Sequence, residues 1–257
     1  MSRCALAAHA PVPELAEGPA KHSTTVLGFR LFPYAIGLRR ATVTRMTDTS
    51  PLEQIIPRVL ENFAAKNAAR EQALAASRSI IRLSATAIRA VHRGEFEKAQ
   101  ALLAEARLVR DAAVTALQGH MDIYHAGFLH DAQKEYAEAW TTLELLSGGA
   151  LPAPEALGVE HAAWLNGIAE AVGELRRWVL DRLRSGSHEG CEDALRAMDD
   201  IYSVLVTIDY PDAMTGGLRR TTDQTRGILE RTRGDLTMAI VQREATRAMS
   251  DALPADE

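Results

Sequence analysis

Two stretches decide how this chain is read. They are Gln133-Lys134-Glu135-Tyr136-Ala137-Glu138-Ala139-Trp140 and Gly167-Ile168-Ala169-Glu170-Ala171-Val172-Gly173-Glu174-Leu175-Arg176-Arg177. Both read as helices, and carboxylates three or four residues apart share a helical face, with Cβ atoms about 5–6 Å apart. Glu135 and Glu138 therefore point at one target, and so do Glu170 and Glu174. Like charges so placed destabilise an isolated helix, and the second pair stands among Ile168, Ala169, Ala171, Val172, Gly173 and Leu175. Burying ionised carboxylates in such a setting costs several kcal/mol each unless a cation or a donor meets them. A hard divalent cation with a preference for oxygen ligands resolves that cost.

The surrounding chain has the composition of a helical protein. Its 257 residues are 47% hydrophobic but only 5% aromatic. Ala, Leu, Glu and Arg abound, and no Asn-Gly or Asp-Gly hairpin signal separates alternating apolar runs. The expected fold is all-α, a multi-helix right- or left-handed bundle of about six to seven helices, in a single domain over residues 46–257.

Helical pattern begins at Pro51, where Thr49 or Ser50 can cap, and Pro57 is expected to bend or restart the helix. The run to about residue 93 places Leu74, Ile81 and Ile88 seven residues apart, as a packed seam requires. On another face Arg78, Arg82, Arg89 and Arg93 fall within an arc of about 60°. Further helices are expected over about 95–124, 129–146, 161–184, 191–207 and 216–249, with a glycine- and proline-rich loop over 147–160.

Residues 1–45 differ in composition, with six basic and two acidic residues, and read as a disordered extension or a mis-assigned start. Removing those eight from the 29 basic and 34 acidic residues of the chain leaves 23 and 32, a net of −9 from Met46 onward. No global basic field therefore advertises nucleic acid, and any such binding needs a local patch. Cys4 and Cys191 are too few for a disulfide framework or a thiolate zinc site. No apolar run reaches the length of a membrane span. A cytoplasmic protein with no membrane partner is expected.

Other chemistries find little footing. His120, His125 and His130 recur every five residues and so do not share a helical face. No histidine has Glu three residues before it, which disfavours a ferritin-like di-iron site. Neither a Gly-x-Ser-x-Gly elbow nor a phosphate loop is present. Trp140, Trp164 and Trp178 read as packing anchors rather than base-stacking platforms.

From about residue 61 to 249 the chain resembles the translin family, which includes translin and translin-associated factor X. The resemblance rests on Ser77-Arg78-Ser79-Ile80-Ile81-Arg82-Leu83-Ser84, on His92-Arg93-Gly94-Glu95, and on the two acidic stretches in that order. It implies a helical protein that assembles into a hollow oligomer, here a homo-oligomer, and binds single-stranded RNA or DNA. The factor X type is similar to a magnesium-dependent endoribonuclease with an inward-facing acidic cluster. That places Mg²⁺, with Mn²⁺ as a substitute, on Glu135, Glu138, Glu170 and Glu174, which double as the catalytic residues. The one departure is Glu170, where the catalytic type has Asp. Arg78, Arg82, Arg89, Arg93 and Arg177 are the expected nucleic-acid contacts, because arginine matches phosphate bidentately. The competing readings are a non-catalytic translin-like binder of single-stranded RNA or DNA, and a solvated acidic face paired with Lys134, Arg176 and Arg177.

Overall fold

The computed structural model describes residues 49–252, and the expectation for residues 1–45 lies outside them. Six long helices carry the fold: α1 (Leu52–His92), α2 (Phe96–Ala116), α4 (Phe128–Ser147), α6 (His161–Arg184), α7 (Cys191–Leu205) and α9 (Leu218–Ala252). Three single turns interrupt the connections: α3 (Met121–Tyr124), α5 (Pro154–Leu157) and α8 (Asp212–Thr215). Among the described residues there is no strand, and no helix is long and apolar enough to cross a membrane.

The chain reverses between α1 and α2 at Arg93-Gly94-Glu95, where Gly94 takes the left-handed conformation (φ 73°) that a side chain resists. α4 then packs on α1 and α2, α6 packs on α4, and α7 and α9 close the far side of α6. One hydrophobic cluster joins α1, α2 and α4 through Ile80, Ala87, Leu103, Leu117 and Leu129. A second joins α6, α7 and α9 through Val172, Leu175, Met198, Leu205 and Leu229. Each fully buried Leu, Ile or Met contributes about 1.5–3 kcal/mol relative to its exposed state.

The structure departs from the sequence pattern in several places. The expected loop over 147–160 contains the turn α5, and Pro57, expected to bend or restart the helix, lies inside α1 and does not restart it. α2 stops at Ala116, and the remainder of the expected helix forms the separate turn α3, because Gly119 falls between them and breaks the run. Finally, the buried stripe of α1 runs through Ala73, Ser77, Ile80, Ser84, Ala87 and Val91, leaving Leu74 and Ile81 at its edge. Small side chains let the neighbouring helices approach closely and so draw the contact line toward themselves.

α4 and α6 run side by side in the same direction, joined by a crossover that returns along the bundle. They approach closely at Gly167. A Cβ built there would stand 2.7 Å from the Lys134 carbonyl oxygen, 2.7 Å from the Ala137 Cβ and 3.0 Å from the Glu138 nitrogen. Two of these neighbours are backbone atoms held in helical hydrogen bonding, so they cannot yield cheaply. Gly167→Ala is therefore expected to destabilise the fold by about 1–3 kcal/mol, the usual cost of overpacking. Urea denaturation checks this, and an unchanged midpoint would mean that the two helices have room to separate.

Candidate metal centre

The residues of the first acidic stretch divide between core and surface with helical periodicity. Tyr136, Ala137 and Ala139 are fully buried. Tyr136 lies beneath the guanidinium of Arg110 from α2, 5.4 Å from its ring centroid, and Arg110 is itself only 2% exposed and paired with Asp111. This anchors α4 in rotation about its axis. Ala137 faces Gly167, which brings α6 against the flank of α4 that carries the acids. The second stretch is fixed likewise: Ala169, Ala171, Val172 and Leu175 are buried, and Arg176 ties α6 to Thr232 and Asp235 of α9.

With both helices so oriented, Glu135, Glu138 and Glu170 each offer a carboxylate oxygen, and these oxygens lie within 4.8 Å of one another. Glu138 is the deepest of the three, 9% exposed. Among the described residues no donor or cation bonds its carboxyl directly. Burial, reinforced by the charges of Glu135, Glu170 and Glu174 and only partly offset by Lys134, pushes the Glu138 carboxyl up to about 8. A buried carboxyl facing two others, with Lys134 only partly offsetting their charge, is an electrostatic deficit of the kind a divalent cation can fill, and an all-oxygen donor set suits Mg²⁺ or Mn²⁺.

Glu174 stands beside this cluster rather than in it. Its Oε2 is 2.5 Å from His92 Nε2, which comes from the last turn of α1, and 3.7 Å from Arg177. The hydrogen bond with His92 holds the Glu174 carboxyl below its usual range against the opposing effect of burial, with the charges of His92 and Arg177 adding to the depression. The four acids are therefore of three electrostatic kinds: a neutral Glu138, an ionised Glu174, and the pair Glu135 and Glu170 that meets a lysine. That lysine, Lys134, places its ammonium 2.8 Å from Glu170 and 3.4 Å from Glu135.

The five arginines expected to contact nucleic acid are all exposed: Arg78, Arg82 and Arg89 on α1, Arg93 at its C-terminal cap, and Arg177 on α6. Arg82 bonds Ser79, Arg89 bonds Thr86, and Arg93 is engaged by Glu95. Arg89 and Arg93 bracket His92 in sequence, so the row on α1 ends at the helix terminus where the acids begin. Arg177 reaches the same edge from α6. Of the pairings that would make a solvated face, Lys134 and Arg177 do meet the acids, but Arg176 turns away to α9. Among the described residues no histidine joins the acidic cluster; His125, His130 and His161 line a separate cleft with Tyr124 and Glu160. Cys191 is buried, and burial raises its thiol pKa, which gives a nucleophile reading no support.

One member of this constellation escaped the sequence reading. His92 meets Glu174 across 82 positions of sequence, so no local spacing signals it. Lys134 was read as a partner of the acids, and the structure shows it bridging α4 and α6 through Glu135 and Glu170.

No family model matches the chain. An uncharacterized protein of Methanocaldococcus jannaschii is 29% identical over 187 residues, covering 71% of this chain and 81% of that protein. The crystal structure of AfC3PO is 35% identical, with a TM-score of 0.67 over 75% of this chain and 98% of that one. AfC3PO in a complex with duplex RNA is 32% identical, with a TM-score of 0.62 over 75% and 97%. Apo-NeC3PO shares the fold at 20% identity, with a TM-score of 0.65 over 76% and 100%.

The position of Glu138 sets a pH signature for the metal-free protein. In the unfolded chain its carboxyl releases its proton near the ordinary value of about 4.3, whereas in the folded chain it holds it to about 8. Between those values the folded state carries more protons than the unfolded one, so this group's contribution to stability falls as pH rises through that window and levels off above it. Glu138→Gln removes the decline. In EDTA its melting temperature is expected to exceed that of the wild type at about pH 9 and to match it near pH 4, where the Glu138 carboxyl is protonated in the folded protein. Parallel melting profiles for the two proteins would rule out Glu138 as the titrating group.

Proposed function

This chain belongs to the translin family, with which the C3PO structures are grouped, and from that premise we propose that it is a Mg²⁺-dependent endoribonuclease acting on single-stranded RNA. The observation that carries the proposal is the convergence of Glu135, Glu138 and Glu170 within 4.8 Å, with Glu138 buried and unneutralised. Glu170, although longer than the Asp of the catalytic type, reaches its partners from α6, which supports a complete donor set.

Those three residues would hold the cation, with Glu174 adjoining. When bound, Mg²⁺ or Mn²⁺ polarises the phosphodiester and lowers the pKa of a bound water. The remaining work belongs to the chain. Glu174, kept ionised by His92, orients the attacking water and accepts its proton, and His92 holds that carboxylate in place from α1. Glu138, as one of the three residues that would hold the cation, is committed to that role. Arg89, Arg93 and Arg177 bind strand phosphates at the edge of the acids, and Arg78 and Arg82 extend the track along α1.

A second reading, binding without cleavage, is favoured by the Lys134 ammonium, which pairs with two of the three acids and occupies part of the donor set without a metal. Because AfC3PO was solved with duplex RNA, the test includes both RNA forms. Labelled single-stranded RNA is expected to be cut by wild type in Mg²⁺, not in EDTA, and not by Glu138→Ala combined with Glu174→Ala. Retention of single-stranded or duplex RNA in a gel shift with no cleavage would establish the binding reading instead.

The proposal includes a hollow homo-oligomer in the cytoplasm. Two cysteines in 257 residues support a reducing compartment. Every residue from 49 to 65 is exposed, yet Leu52, Ile56, Val59 and Phe63 repeat at alternating spacings of four and three, the pattern of a helix seam awaiting a partner. The protein is expected to elute far above the 28.0 kDa of one chain. Ile56→Asp combined with Phe63→Asp is expected to shift it to a smaller species. Monomeric elution of the wild type at micromolar concentration would defeat the oligomer.

A further inference from the structure

We propose that Lys134 is an intramolecular competitor for the divalent cation, and that metal engages Glu135 and Glu170 together only by displacing its ammonium. The inference rests on the metal reading above and adds a residue that tunes it.

Lys134 Nζ lies 2.8 Å from both oxygens of Glu170 and 3.4 Å from Glu135 Oε1. These carboxylates are two of the three in the cluster, so the ammonium straddles the donor set from the side on which α4 and α6 meet. Mg²⁺ requires its oxygen ligands at about 2.0–2.1 Å in near-octahedral array. A dication at that distance from Glu135 and Glu170 would sit within a few ångströms of the ammonium, among half-buried groups where screening is weaker than in open water, and the two cations repel. They cannot share both oxygens of Glu170 at full strength.

The geometry also provides for release. The backbone of Lys134 is pinned, since its carbonyl oxygen lies against Gly167. Its four-carbon stem is flexible, and the side chain retains 22% exposure, so the ammonium can swing to solvent without moving α4. A fixed backbone with a mobile cationic tip is the arrangement of a tethered counter-ion.

The test is Mn²⁺ binding by isothermal titration calorimetry, with a parallel Mg²⁺ series, to the full chain as wild type, Lys134→Met, Lys134→Gln and Lys134→Arg. Removal of the charge in Met or Gln is expected to tighten metal binding at least tenfold, whereas Arg keeps affinity near the wild type. Metal is also expected to raise the melting temperature of Lys134→Gln by more than that of the wild type. The Gln variant keeps a donor for Glu170, so it reports on charge even if Met folds poorly. Equal or weaker binding by both neutral variants overturns the competitor role while leaving the metal centre standing. Absence of metal binding in every variant overturns the metal centre and the competitor together.

Discussion

Everything at the acidic site depends on one contact, the meeting of α6 with the backbone of α4 at Gly167. Helices usually pack through side chains, with axes 8–10 Å apart. Here the missing Cβ allows α6 to rest on the Lys134 carbonyl and the Glu138 nitrogen, one turn before Glu170. A methyl group at this point would force the helices apart and carry Glu170 away from Glu135 and Glu138. The glycine that opens the second acidic stretch is thus explained by distance rather than by backbone conformation. Ala137, opposite it, is small for the same reason.

The electrostatics follow from that proximity. Three carboxylates brought together between two helices cannot all remain ionised without an opposite charge, and the protein settles the conflict unequally. Glu138 keeps a proton, Glu170 and Glu135 share Lys134, and Glu174 is drawn aside to His92. Four residues of one type thereby acquire different chemical characters. None of those differences is intrinsic to glutamate; each is set by which element stands opposite.

The fold was largely legible in the amino-acid order because long helices declare themselves through sustained periodicity, and all six long elements fall close to where it placed them. The departures have a common origin. The seam of α1 was sought among Leu74, Ile81 and Ile88; Ile88 is buried, but Leu74 and Ile81 lie at the edge because Ala and Ser, whose small size permits close packing, draw the contact line toward themselves. At the site, Glu135 with Glu138 and Glu170 with Glu174 could be paired from helical spacing, since that is a local property. The union of Glu138 with Glu170, the reach of His92 to Glu174 and the burial of Arg110 over Tyr136 all join separate helices. Periodicity carries no information about such meetings; for the acids, only resemblance to a family suggested one.

α1 has a length that bears on how the molecule transmits force. At 41 residues it is a rod of about 60 Å, exposed and apolar at one end and carrying His92 at the other. Its second half, which carries His92, is clamped by α2 and α4, so the exposed first half stands out as an arm of about 30 Å. Whatever grips that arm therefore grips the same helix that meets Glu174 through His92.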